Sequence, residues 1–392
     1  MLYQDKFKKF VENIKNSNNY RFFKNIKRSL DLPYALDEND RKITIWCSND
    51  YLGLTKHPQI IKNSKDIIDE LGVGSGGTRN IAGSHSEIVK LEKAVASLQR
   101  KDSALIFNSG YVANRGAITA IGKIFPDIIF ISDELNHASI IDGIRSSLCN
   151  KVIFKHNDVD DLRSKLLNID KNIPKMIIIE GLYSMNGDFP PLPDIVSIAK
   201  EFNAMTYIDE VHSNGIYGEN GSGVAEKFGL QNEIDIIQGN FGKAFGSFGG
   251  YIAANGDIVD AIRLISSDFI FTTSLPPVVV SANLFAIDLV SRDVDNLRQR
   301  LFDNVIKLKK HFRKSDISFI DNESHMVIVM INDAIKVRKV CDELFDKYRI
   351  YIQGINFPTV PIGSERLRIT ITPQHSESDI INLCIALKDV LQ

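Results

Sequence analysis

The sequence predicts an α/β protein, with a large domain built around a mostly parallel sheet and a smaller α+β domain at the C-terminus. Two observations carry this reading. Between about residues 100 and 256, short apolar runs alternate with amphipathic stretches, the pattern of βα units. After Pro276-Pro277 the texture changes to fewer elements in a simpler order. The expected divisions are an N-terminal segment over 1–45, a large domain over 46–285 and a small domain over 286–392. The 392 residues are 44% hydrophobic and 24% charged, with a formal net charge of −2. So balanced a chain has no global field to draw nucleic acid or an anionic membrane, and neither is an expected partner.

In chain order, residues 1–30 are basic, which raises the question of an organelle transit peptide. Asp5 and Glu12 interrupt the basic run, however, and Phe7, Phe10, Val11 and Ile14 fall at helical spacing. A docked N-terminal helix is the expectation. Ile60 to Leu71 has helical periodicity. Strand-like runs follow at Ser103 to Phe107, Ile128 to Ser132, Lys175 to Glu180, Met205 to Asp209, Ile234 to Gly239 and Tyr251 to Ala254. A long amphipathic stretch over about 278–312 leads to a strand at Met326 to Ile331, a helix near 333–347, a strand at Arg366 to Thr372 and a terminal helix near 377–391. Cys47, Cys149, Cys341 and Cys384 lie too far apart for a metal pair or a disulfide framework, so no metal site and a reducing, cytoplasmic setting are expected. No apolar run reaches the roughly 18–20 residues of a membrane span.

Parallel sheets bind ligands at the carboxyl ends of their strands, and polar or glycine residues cluster there: Asn108-Ser109-Gly110, Asp133 to His137, Tyr183-Ser184, Asp209 to His212 and Gly239 to Gly246. Gly72 to Gly77 formally matches G-x-G-x-x-G. It follows a helical stretch rather than a strand, and it lacks the Gly-Lys-Ser/Thr ending of a P-loop, so neither nucleotide reading holds. What survives is a glycine-rich backbone that can lie close against a ligand, or a plain loop. Asp209 ends an apolar strand with His212 three residues on, a pattern that alone is more often a turn with a capping Asp than a catalytic pair. Lys243 lies on a glycine-flanked turn after another strand. Lysine amines form Schiff bases with carbonyls, including pyridoxal 5'-phosphate, whose ring nitrogen needs an acidic partner. Asp209, Lys243, a glycine-rich turn and a stacking ring at His137 jointly fit that cofactor. Arg366-Leu367-Arg368 places two arginines on one strand face, suited to a carboxylate or to surface ion pairs.

Longer strings then become recognisable. Trp46 to Gly53, Gly74-Ser75-Gly76-Gly77-Thr78-Arg79-Asn80, Ser132 to Ser139, Asp209-Glu210-Val211-His212, Gly242 to Gly246, Phe269 to Pro277 and Ile355 to Pro361 occur in this order. With them the chain resembles the α-oxoamine synthases, pyridoxal-phosphate-dependent enzymes of the aspartate-aminotransferase fold type, also called fold type I. Gly-Thr-Arg-Asn and Ile-Asn-Phe-Pro-Thr-Val-Pro resemble most closely the members that condense glycine with succinyl-CoA to 5-aminolevulinate, the first committed haem precursor. The resemblance implies that Lys243 holds the cofactor, Asp209 pairs with its ring nitrogen, His212 with its phenolic oxygen, and His137 stacks on the ring. Ser109, Gly110, Tyr111 and Asn240 would hold the phosphate together with Thr272 and Thr273 of the partner subunit, in a homodimer with shared sites. Arg368 would bind the glycine carboxylate and Thr78 would limit the size of the amino acid. Arg21 and Thr359 would receive the acyl carboxylate, with Asn49 nearby and Ser132 and Ser184 on the substrate side.

Three positions depart from the family pattern. Asn240 replaces the usual Thr, Ile362 the usual Arg after Val-Pro, and Asn186 the usual Asp of Tyr-Ser-Met-Asp-Gly. They leave room for an alternative within the family, such as alanine with pimeloyl-CoA, against which Arg21 and Thr78 argue. A non-catalytic module of the same fold is a third reading, disfavoured by the intact Lys243, Asp209 and His137.

Overall fold

The computed structural model describes residues 2–17, 20–29 and 31–392. The chain divides into two compact units. The larger comprises Leu54–Ser184 and Asp188–Asn296; the smaller comprises the residues up to Gly53, Met185–Gly187 and Leu297–Gln392.

The larger unit is built on a seven-stranded sheet, in the spatial order Ser103–Phe107, Gly250–Ala254, Ile236–Asn240, Met205–Asp209, Lys175–Glu180, Ile129–Asp133 and Asn150–Phe154. Only Gly250–Ala254 runs against the others. Continuous apolar runs such as Met176-Ile177-Ile178-Ile179 form strands buried on both faces, as expected of a parallel sheet covered by helices. Gly110–Ile124 and Ala138–Ser147 lay Ala113, Ala117, Ile121, Ile140 and Ile144 into the core against Phe130, Met176 and Tyr207. The six expected strands are present within a residue or two. Asn150–Phe154 was not among them. It is an edge strand paired only to Ile129–Asp133 and largely exposed, so it lacks the apolar run that marks the others.

The smaller unit pairs Met326–Met330, Arg366–Thr370 and Gly354–Ile355 in one antiparallel sheet and packs Leu297–Lys314, Ala334–Tyr348 and Glu377–Leu391 around its core. Residues 1–45 do not stand alone as expected. Lys42–Ile45 pairs in parallel with Ile350–Tyr351, and Trp46 N–H donates to the Tyr351 carbonyl at 2.9 Å, so the N-terminal segment folds with the C-terminal residues. The expected single stretch over 278–312 is two helices, Pro277–Ser291 and Leu297–Lys314, belonging to different units. Asp293, Asp295 and Asn296 take φ of 45°, 63° and 52° between them, a conformation that Asp and Asn tolerate and that stops a helix. The unit boundary therefore falls at Asn296 rather than between residues 285 and 286. The N-terminal helix, Leu2–Asn16, is present but its stripe is uncovered by the described residues: Phe7 is 72% and Phe10 63% exposed.

Candidate active site

The carboxyl ends of the larger unit's strands enclose a cavity of about 210 Å³. Asp209 and Glu180, the last residues of neighbouring parallel strands, stand opposite each other on its floor. Asn240 ends the next strand, and Lys243 follows three residues on in a turn closed by the Gly246 N–H donating to the Lys243 carbonyl. His137 and His212 complete this side. At the other end, Ser109 caps the helix Gly110–Ile124, its Oγ accepting from Val112 N–H, so the first turn of that helix, with Gly110 and Tyr111, faces the cavity. A Cβ on Gly110 would lie 3.2 Å from Asn240 Cβ, Gln238 Nε2 and Val211 Cγ2. Glycine is what lets the helix start lie this close.

The charged groups are fixed rather than loose. Asp209 Oδ2 accepts from Asn114 Nδ2 at 2.7 Å and Oδ1 from Val211 N–H at 2.9 Å. Asn114 is oriented in turn by Tyr207, whose hydroxyl donates to its Oδ1 at 2.8 Å, and by Ser139. Burial pushes the Asp209 carboxyl above its usual range, opposed by those two donors and by His137 and Lys243. His137 Nδ1 accepts from Ser139 N–H at 3.2 Å and lies 2.8 Å from Ser139 Oγ, which holds the ring in one orientation. Burial lowers its pKa, with Lys243 acting the same way and Asp209 opposing. Sequence reasoning missed Asn114, Ser139 and Glu180. The signal for Asn114 was a polar residue on the apolar face Ala113, Ala117, Ile121 of its helix.

These residues fit pyridoxal phosphate. A carboxylate with fixed donors suits a ring nitrogen, Lys243 supplies the amine, His137 the flat face, and a helix N-terminus built over a glycine is an anion site. Other expected residues stand elsewhere. Ser132 is buried, its hydroxyl accepting from Asn136 and donating to the Asp133 carbonyl, and Ser184 is buried in the turn after its strand; neither is among the cavity's walls. Thr272 Oγ1 donates to the Asp268 carbonyl at 2.6 Å, and Thr273 bridges Thr78, tying the glycine-rich loop to this segment together with Ser75 Oγ on the Ser274 carbonyl. Neither threonine lines the cavity of its own chain.

In the smaller unit, Arg368 Nη2 donates to Asn49 Oδ1 at 2.6 Å, and Arg21 Nη2 donates to Thr359 Oγ1 at 2.9 Å. Arg21 and Thr359, expected together, are in contact, whereas Asn49, expected near that pair, is bonded to Arg368. Arg366 serves differently: it is buried, and Nη1 donates to the Met185 carbonyl and to Asn186 Oδ1, both at 2.9 Å. The departure at Asn186 keeps an acceptor for this arginine while removing a charge.

The family model for class I and II aminotransferases matches residues 41–387. The chain belongs to that family. Within it, the chain is 47% identical over 386 residues to a 5-aminolevulinate synthase from Rickettsia prowazekii, covering 98% of this chain and 93% of the relative. It is 43% identical over 394 residues to a 5-aminolevulinate synthase from Bradyrhizobium diazoefficiens, covering 100% and 96%. Among solved structures, a serine palmitoyltransferase from Sphingomonas wittichii superposes with a TM-score of 0.90 at 29% identity, covering 98% of this chain and 97% of that one. The fold of that serine palmitoyltransferase is thus shared over nearly the whole chain.

Proposed function

We propose that the protein catalyses the pyridoxal-phosphate-dependent condensation of glycine with succinyl-CoA, giving 5-aminolevulinate, coenzyme A and CO2. The observation that carries it is the single cavity in which Asp209, His137 and Lys243 meet, in a chain similar over nearly its full length to 5-aminolevulinate synthases. When bound, the cofactor supplies an electrophilic carbonyl and a ring that takes up the electron pair left by a departing Cα proton. Asp209 keeps a negative charge at the ring nitrogen, fixed by Asn114 and Val211. His137 covers one ring face. Lys243 Nζ anchors the carbonyl carbon, then, once displaced by the glycine amine, takes the proton from glycine Cα and returns one to the product. Arg368, steadied on Asn49, holds the glycine carboxylate, while Arg21 and Thr359 bind the succinyl carboxylate; a planar guanidinium fork suits both. Glycine Cα attacks the thioester carbonyl, the CoA thiolate leaves, and the glycine carboxyl departs as CO2.

The site is shared across a homodimer. Thr272 and Thr273 stand outside their own chain's cavity, and Phe271 beside them and Ile81 on the glycine-rich loop bridged to Thr273 are 77% and 82% exposed, apolar surface of the kind a subunit interface covers. Among the described residues no helix is long and apolar enough to cross a membrane. The four cysteines, all free, support a reducing, cytoplasmic setting. Borohydride reduction of the cofactor-loaded protein followed by peptide mapping tests the assignment. The reduced cofactor is expected on Lys243, with none retained by Lys243→Ala; label on another lysine overturns it.

A further inference from the structure

Four buried carboxyl groups crowd the strand ends of the larger unit: Asp133, which pairs with His156, and Glu180, Asp209 and Glu210. Glu210 is accounted for, because it accepts from Val224 N–H at 2.9 Å, from Ala225 N–H at 2.7 Å and from Ser213 Oγ, and so anchors the turn that follows its own strand. Asp209 belongs to the cofactor. Glu180 has no place in the proposed reaction, yet it is 3% exposed, lines the cavity, and stands directly opposite Asp209 in the parallel register.

Charge decides what Glu180 can be. The groups facing it are Asp209 and Asp133, which oppose a negative charge, and Lys243, which favours one; Tyr183 also stands within its field, and His212 shares the cavity. Its donor is the backbone N–H of His137. Asp209 has two strong donors, one a side-chain amide held in place by Tyr207. Where two carboxyl groups share a site they cannot both ionise cheaply, and the better-solvated one keeps the charge. Burial, with Asp209 second, pushes the Glu180 carboxyl well above the usual carboxylate range.

We infer that Glu180 is a positioning residue of the cofactor site, a neutral carboxylic acid that confines the pair's one negative charge to Asp209 and anchors the backbone of His137. This rests on the reading of the cavity as a cofactor site. It explains how two carboxyl groups on adjacent strand ends can coexist beneath a ring that needs one anion. It also gives the His137 ring a second constraint, at its own backbone, besides Ser139 at its side chain.

The test begins without cofactor. Infrared spectra of the apo-protein at pH 7 are expected to show a protonated carboxyl carbonyl band that Glu180→Gln removes. A cofactor-loaded series follows. Glu180→Gln, which keeps the neutral shape, is expected to retain the visible spectral titration of the bound chromophore. Glu180→Ala, which loses the His137 anchor, is expected to weaken pyridoxal phosphate binding roughly 10-fold, the scale of one lost hydrogen bond in a buried site. An apo spectrum identical in wild type and Glu180→Gln overturns the inference, and so does a Glu180→Gln titration displaced as far as that of Asp209→Asn. A protein that shows the band but binds no pyridoxal phosphate would sink the cofactor reading instead, so the two failures are distinguishable.

Discussion

At Thr78 the proposed specificity for glycine comes down to one methyl group. The backbone of Thr78 is pinned on both sides: its carbonyl accepts from Ile81 and Gly83, and it bridges Thr273. Gly83 makes the loop tight, since a Cβ there would lie 2.2 Å from the Gly77 carbonyl oxygen. A β-branched side chain on so fixed a backbone has little freedom at χ1 and cannot swing aside for a larger substrate. Thr78→Ser is therefore expected to admit alanine and serine while sparing glycine turnover, changing the ratio of kcat/KM values by roughly 10–200-fold, the worth of one methyl in a pocket. Arg368→Ala is expected to weaken all three amino acids alike, because it removes the carboxylate anchor. An unchanged alanine-to-glycine ratio in Thr78→Ser would place the size limit elsewhere.

Among the elements, the turn after the strand Ile129–Asp133 is held by charge. His156 Nδ1 lies 2.9 Å from Asp133 Oδ1 and Nε2 lies 2.7 Å from Asp188 Oδ2, with Tyr183 packed edge-on against the ring at 4.4 Å. Burial lowers its pKa, but the two carboxylates outweigh burial and carry it up to about 9, so the imidazolium persists through neutral pH. A folded pKa above the unfolded one means stability fully present below about 6.5 and lost as pH rises through about 9. The shift corresponds to at most about 3 kcal/mol at 1.36 kcal/mol per unit. Urea unfolding between pH 6 and 10 should show this loss in wild type and not in His156→Asn; parallel profiles would contradict it. Legibility from sequence also divides by element. Buried parallel strands write themselves as unbroken β-branched runs, and every such strand was readable. The edge strand Asn150–Phe154 and the two-residue strands Ile350–Tyr351 and Gly354–Ile355 were not, because exposure or brevity erases periodicity and only distant pairing defines them. Lys243 was legible as a lysine with little structural purpose on its turn, and Asp209 and His137 gained weight only beside it. Glu180 was not, since the last residue of a buried strand carries no mark of what lies opposite.

For the whole molecule, the larger unit gathers Asp209, His137 and Lys243 at the ends of its strands, and the smaller pairs Arg21 with Thr359 and Arg368 with Asn49, groups that the proposed function assigns to the cofactor and to two substrate carboxylates. The proposal that these serve one condensation with loss of CO2 makes a demand on individual atoms. Glycine Cα and nitrogen must appear in the product and the glycine carboxyl carbon must not. The direct measurement is mass spectrometry of the product from purified, cofactor-loaded protein given succinyl-CoA and glycine carrying carbon-13 at either position. Label at Cα is expected in 5-aminolevulinate, and label in the carboxyl is expected only in released CO2. Carboxyl label retained in the product, or turnover confined to alanine with a longer acyl-CoA, would contradict the account.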